Sequence, residues 1–419
     1  MIRSASLFYA VIVALLLSAL LGGVLLTAHL RSMRTERWLA FTTARDRAHD
    51  ALMQCASARF IDDAQYEGPG SDSVMMVASA WGLYWHCACR AQQSDQGYGW
   101  SSLMACQWPA DAPGLWLADH GEPIALAGAT VIEGPCYLPH AGLRRAYIEG
   151  NPFSGSLEID GQRTSERQFP ELPEHVRDAL NTMAELRGPR QHDRTVDWNA
   201  IADDTLRVAF DEGILFVDAN GTHTLSGRVL EGRIVVHSRD SLRLAADLGM
   251  GHAIVIAPQI HIAEGFKGSL QCFATEAITV GKEVELLYPS VLVCECPDHS
   301  PRGGQTALIA LGEGARCEGA ILGVASKNDA NAFVLVQLGV GSYVAGELWN
   351  NGPVEVRGTF EGVLMADRLT LRTASSVYRD HLLDAVVRPL HDPHFAGIGL
   401  WDTGAVHTVL AWTATTERP

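Results

Sequence analysis

From residue 5 to residue 28 the chain reads ASLFYAVIVALLLSALLGGVLLTA, an apolar run without a charge. About 20 apolar residues at 1.5 Å each cross a hydrocarbon core of about 30 Å, so the run predicts a membrane-spanning helix in contact with the lipid bilayer. Its lipid-facing positions include Leu7, Leu15, Leu16, Leu20 and Leu25. No A-x-A cleavage site follows, since His29, Arg31 and Arg34 come next, and an uncleaved anchor is expected rather than a signal peptide. Leu30, Met33, Arg37, Ala40, Ala44, Ala48, Leu52 and Cys55 then keep a spacing of three and four, which extends the helix as a stalk to about Phe60.

Past the stalk the period shortens. Residues 67–170 hold Trp81, Trp85, Trp100, Trp108 and Trp116, then the strand-like pieces LWLAD and PIALAGATVIEGPCYLP, punctuated by Gly128 and Gly134. This predicts a tryptophan-rich β lobe whose indoles are read as core; stacking on sugars is the alternative. Leu172, Val176, Leu180, Met183 and Leu186 return to helical spacing between Pro173 and Gly188, so 171–212 reads as a short helix and a polar linker. From 213 to 388 come short Val-, Ile- and Leu-rich pieces such as RIVVHS, AIVIAPQIHIA, TALIALG and AFVLVQLG, separated by Gly, Asn, Asp or Pro. A single strand of this kind cannot bury its face, so the units must stack. The fold class expected is mainly β: a right-handed parallel β-helix head behind the anchor (1–30) and stalk (31–66), closed by a C-terminal cap or tail (389–419). A β-sandwich is the alternative, because the same strand spacing suits it.

Composition fits this picture. The 419 residues are 47% hydrophobic and include 40 glycines, ample for a large strand-and-turn core. A formal charge of −16 speaks against a nucleic-acid partner, which needs a clustered basic face. Around the apolar run, Arg3 stands before it and Arg31, Arg34, Arg37, Arg45 and Arg47 after it, which by the positive-inside rule alone would keep the head cytoplasmic. Long domains cross regardless of such charge. The placement expected is a single pass in a bacterial inner membrane with the head periplasmic or outward.

The segment 339–375, GVGSYVAGELWNNGPVEVRGTFEGVLMADRLTLRTAS, sets glycines at 341, 346, 352, 358 and 362 between the alternating pairs Val354, Val356 and Leu369, Leu371. In its pattern xVxGELxxxGxVxVxGxxEGxLxAxxLxL it resembles bactofilins, polymer-forming bacterial proteins built as right-handed β-helices. The resemblance covers about a tenth of the chain; it implies architecture and brings no catalytic residue. The N-terminus looks similar in outline to type IV pilins and pseudopilins, whose membrane helix continues into a stalk before a globular head. It departs from them in lacking the glycine just before the apolar run and the glutamate inside it; the early glycines here are Gly22 and Gly23.

Two C-x-C pairs stand among nine cysteines. Residues two apart on a strand share a face, so Cys294 and Cys296 with His299 form a candidate metal triad; Cys87 and Cys89 beside His86 form a second, weaker one. Packing of small thiols in a solenoid interior, or a disulfide, are the competing readings, and Cys272, Cys294 and Cys317 suit packing. His391, Asp392 and His394 in HDPHF, close in sequence to His381 and Asp402, form a further cluster, read as a solvated loop held by Pro393, with a metal or acid/base role as the alternative. No nucleophile elbow, phosphate loop or dinucleotide fingerprint occurs, and no catalytic residue or cofactor is assigned. The reading is a membrane-anchored structural or assembly protein of the bacterial envelope that self-associates or docks a partner. The alternatives are an envelope protein that binds or cleaves carbohydrate, for which Asp298, Glu313, Glu318 and Asp329 are the acids available, and a pseudopilin-like component of a secretion or pilus apparatus.

Overall fold

A computed structural model describes residues 3–57, 73–109, 111–186, 188, 194–210, 212–296, 306–326, 332–392, 395–401 and 407–416. The fold is mainly β with one long N-terminal helix. Two compact units make up the chain: residues 1–78, 87–102 and 412–419 form the first, residues 79–86 and 103–411 the second.

In the first unit helix α1 runs from Arg3 to Ser57. It is the one helix among the described residues that is long and apolar enough to cross a membrane. Leu7, Leu15, Leu16, Leu20 and Leu25 are all exposed by 64–69%. Farther along, Ala44, Ala48, Ala51, Leu52, Cys55 and Ala56 are buried on one face. Ala44 and Ala48 pack on Ala91 and Tyr98, with Phe41, Val74 and Trp100 around them. Phe41 meets the edge of Tyr98 at 5.4 Å between ring centroids, and Arg37 pairs with Asp95 at 3.7 Å. The strands Ser73–Trp81, Tyr84–Gln93 and Gln96–Gln107, neighbours in that order, supply this surface through residues 73–78, 87–93 and 96–102.

The second unit is built on one hydrogen-bonded network of twenty-three strands, almost all paired in parallel. Pairing of that kind excludes the antiparallel layers of a β-sandwich. One column of registered residues runs Val196, Val217, Val236, Val255, Cys272, Leu292, Ile321, Leu348, Leu364, Leu115, Cys136. A second runs Leu225, Leu244, Ile262, Val280, Leu311, Leu338, Val356. A third continues Leu286, Cys317, Val344, Phe360, Val387, Ile132. These residues belong to one apolar core. Branched aliphatic side chains stacked in register lose water on all sides, worth about 1.5–3 kcal/mol for each large one.

Order along the ladder is not order along the chain. The strand Leu115–Leu117 joins on beside Thr359–Arg372, then Cys136–Leu138 and Gln162–Thr164 follow. The chain therefore lays down one extreme of the ladder first and, after helix α2 (Glu174–Glu185), starts again at the other extreme with Arg194–Asp197. Along one edge Ser290, Gly319, Gly346 and Gly362 are registered neighbours. The three glycines hold φ of 144°, 143° and 138°, and a Cβ at Gly346 would lie 1.8 Å from the carbonyl oxygen of Gly319. Only glycine fits where one backbone is laid so closely on the next.

Candidate functional site

Next to the first interior column runs another whose side chains point to the opposite face: Val235, Ile254, Gln271, Val291, Ala320, Glu347, Val363. It is buried too. Trp81, Leu83, Trp116, the buried face of α2 (Val176, Ala179, Leu180, Met183) and Ile398 and Leu400 cover it. Trp116, Phe169 and Trp349 form a continuous aromatic row there, with centroid distances of 5.5 and 5.1 Å, and the Trp349 indole donates to the carbonyl of Pro170 at 3.2 Å.

Two polar side chains interrupt this apolar column, and each binds the backbone of a covering segment. Gln271, 2% exposed, donates its Nε2 to the carbonyl of Trp81 at 2.8 Å and accepts the N–H of Leu83 on Oε1 at 2.9 Å. It thus satisfies both sides of the tight turn at Gly82, whose φ of 64° suits glycine. Glu347, fully buried, accepts the N–H of Ile398 on Oε2 at 2.6 Å, the N–H of Leu400 on Oε1 at 3.3 Å and the indole of Trp108 on Oε1 at 2.8 Å. A Cβ at Gly397 would lie 2.3 Å from its carboxyl carbon, so glycine lets the strap pass directly over the acid. Burial pushes the Glu347 carboxyl up to about 7, opposed by those three donors and the N–H of Gly399. The strap is also held by Tyr288, whose hydroxyl donates to the carbonyl of Ala396 at 2.7 Å, by the 2.9 Å contact of His175 Nε2 with the carbonyl of Ile398, and by antiparallel pairing of Ala396 and Gly397 with Gln107 and Cys106.

Beside the strap opens a cleft of about 350 Å³ lined by Trp108, Pro109, Pro135, Pro389, His391 and Phe395 among others. The Phe395 ring lies 5.1 Å from Trp108 and 4.6 Å from Tyr288. Trp108 is fixed by its bond to Glu347, so its indole N–H is engaged and its ring is held in the cleft wall. His391 rests Nδ1 3.1 Å from the carbonyl of Pro389. Glu361, on the neighbouring edge, accepts from Tyr343 at 2.7 Å and from Arg388 Nε at 2.8 Å, and these partners hold its carboxyl below the usual range despite desolvation.

Of the residues singled out in the sequence, Cys294 and Cys296 are both buried in the apolar core among aliphatic side chains, and burial pushes the Cys294 thiol up to about 12. His299, Asp298, Asp329 and His394 lie outside the described residues, and among the described ones no group of three His, Cys, Asp or Glu side chains is arranged to hold a metal. Glu313 pairs with Lys282 at 2.7 Å and Glu318 with Arg316 at 3.7 Å. Trp81 and Trp116 are core residues, with the Trp81 indole donating to the carbonyl of His252 at 2.9 Å, while Trp108 lines the cleft. Gln271 and Glu347 carried no sequence motif. In GSLQCFA and in AGELWNN each takes the outward phase beside the inner-column residues Cys272 and Leu348, which gives no signal of a site.

No family model matches the chain, and no curated protein matches it. Among solved structures it is similar to the competence-associated pilin ComZ from Thermus thermophilus, at 10% identity over 91% of this chain and 98% of that one, with a TM-score of 0.23. That score lies below the level of a common fold.

Proposed function

We propose that this chain is a membrane-anchored structural or assembly protein of the bacterial envelope, its single helix fixing a right-handed parallel β-solenoid head on the periplasmic side. The observation that carries the reading is the division of α1: its first half leaves Leu7, Leu15, Leu16, Leu20 and Leu25 bare, whereas its second half is packed. Five leucines exposed by 64–69% on a charge-free run gain from burial in lipid, which supports a membrane anchor. The three registered apolar columns support a coil with three faces per turn, as does the resemblance of 339–375 to bactofilins. Trp198 follows the strand Arg194–Asp197 at one extreme of the ladder and Phe153 precedes Gln162–Thr164 at the other, both rings belong to the core, and we read them as plugs. Terminal plugs of this kind oppose end-to-end stacking and favour docking through the sides.

The head's location has a direct test, because every cysteine is free and buried. In a variant with exposed Glu158→Cys, a membrane-impermeant maleimide should label the new thiol in outer-membrane-permeabilised cells, over a low native background. Labelling only after lysis overturns the periplasmic placement, and extraction of the chain by alkaline carbonate overturns the anchor.

A second reading, carbohydrate binding, draws on the cleft that Trp108, Phe395 and His391 line together. Trp108→Ala should abolish retention on envelope polysaccharide; no retention by the unmodified protein would end that reading.

A further inference from the structure

Near its C-terminal end α1 sets Cys55 against the strand Tyr84–Gln93, where Cys87 and Cys89 lie two residues apart on one face. The Cys55 thiol is hydrogen-bonded to that of Cys87, and the sulfurs of Cys87 and Cys89 are 3.6 Å apart. All three are reduced and buried, with Cys55 the most exposed at 7%. The rest of this contact is the apolar group Ala44, Ala48, Ala91 and Tyr98 with Phe41, Val74 and Trp100 around it, and the exposed pair Arg37–Asp95. Nothing in it is covalent, although it is where the anchor helix meets the folded part of its own unit.

We propose that Cys55 and Cys87 are a disulfide-forming pair, a clasp that fastens α1 to the sheet in an oxidising compartment while Cys89 stays a thiol. This use in the cell rests on the periplasmic placement proposed above. The alternative bond, Cys87 to Cys89, would join Cα atoms about 6.6 Å apart on an extended strand, at the upper edge of disulfide geometry. The bond to Cys87 and burial hold the Cys55 thiol well above its ordinary value, so the exchange passes through local opening of the end of α1. There Cys55, the most exposed of the three, gives its proton to water and as the thiolate attacks the disulfide of an oxidised thiol, forming a mixed disulfide and releasing one thiolate. Cys87 then gives its proton to water and attacks the Cys55 sulfur, expelling the second. Two protein thiols are oxidised and one disulfide is reduced to two thiols.

The test uses the full chain in detergent micelles, equilibrated across glutathione disulfide ratios, alkylated and mapped by mass spectrometry. The expected result is a crosslink between the peptides carrying Cys55 and Cys87, retained in Cys89→Ala and lost in Cys55→Ala. The melting temperature of the first unit should rise by at least about 4 °C on oxidation. Three alkylatable thiols at the most oxidising ratio, or a Cys87–Cys89 crosslink instead, would overturn the clasp. The same mapping after alkylating intact cells separates the two ideas: a bond made in micelles but absent in cells contradicts the periplasmic placement and leaves the clasp chemistry standing.

Discussion

Two columns one residue apart on the same strands behave differently. The inner one, from Val236 through Leu292 and Leu348 to Cys136, is aliphatic or thiol throughout. The outer one, just as buried, carries Gln271 and Glu347. An aliphatic column gains from any neighbour that excludes water, so it fixes that strands stack and leaves open what else lies against them. A buried amide or carboxylate is stable only when its partners arrive in the right place, because an unpartnered one costs about 1–3 kcal/mol or more. The inner column therefore provides stability, and the outer one selects which segment covers it: the Gly82 turn at Gln271 and the 396–400 strap at Glu347.

Substitutions that exchange the two roles should separate them. Leu348→Ala, which leaves a cavity in the inner column, should cost about 3–5 kcal/mol in chemical denaturation and leave the pH profile of stability unchanged. A smaller loss would mean that the coil collapses around the gap and that the column is not close-packed. Glu347→Leu removes the acceptor of the Ile398, Gly399 and Leu400 N–H groups and of the Trp108 indole and should cost about 3 kcal/mol. Its distinguishing sign is local: amide exchange at Ile398 and Leu400 should accelerate far more than in the ladder strands. Uniform acceleration would show that Glu347 only fills space.

Gln271→Leu should cost about 2 kcal/mol and loosen the Gly82 turn without touching the strap, a selectivity that proteolysis at each segment reads directly. A finer test uses pH. The folded pKa of Glu347, raised to about 7 from the ordinary 4.5, means that the native state holds a proton which the unfolded chain has given up between those values. The Glu347 contribution to stability therefore falls as pH rises through this window; between pH 8 and 6.5 its share is a gain of about 1 kcal/mol, read as the difference between the profiles of the unmodified protein and of Glu347→Gln. Glu347→Gln should flatten that gain. The buried histidines act in the opposite sense over the same range: burial lowers His86 to about 4 and also lowers His237 and His252, so their contribution is lost as pH falls through about 6.5 and the unfolded chain takes up protons, in the unmodified protein and in Glu347→Gln alike. The smallest effect is expected on the surface. Lys267→Ala removes an exposed pair with Glu285 and should leave the melting temperature unchanged within error.

The pattern of strands was readable because period-two alternation and glycine corners are local. RIVVHS, AIVIAPQIHIA, TALIALG and AFVLVQLG all fall on strands of the ladder, and Gly346 and Gly362 stand where a Cβ has no room. Glu347 was not readable as a site. Inside AGELWNN it has the look of a solvent-facing alternate residue, and nothing nearby in sequence announces a strap fifty residues later. Cys87 and Cys89 were visible as a C-x-C pair and Cys55 as part of the stalk's helical spacing, yet the contact between Cys55 and Cys87 needs the helix laid against the sheet.

By itself, then, the sequence determined the apolar helix that can cross a bilayer, the helical spacing of Val176, Leu180 and Met183, and the mainly β character of the head, since each depends on periodicity within a few residues. Tertiary structure alone decided that residues 115–164 stack on the strands of 359–388 rather than on those nearest in sequence. It also decided that the Phe395–Trp401 segment lies across an outer face, and that two polar residues hold the covers in place. Parallel pairing leaves every strand able to accept several neighbours of similar pattern. The choice among them is made by long-range packing and by buried donors and acceptors, which no local pattern encodes.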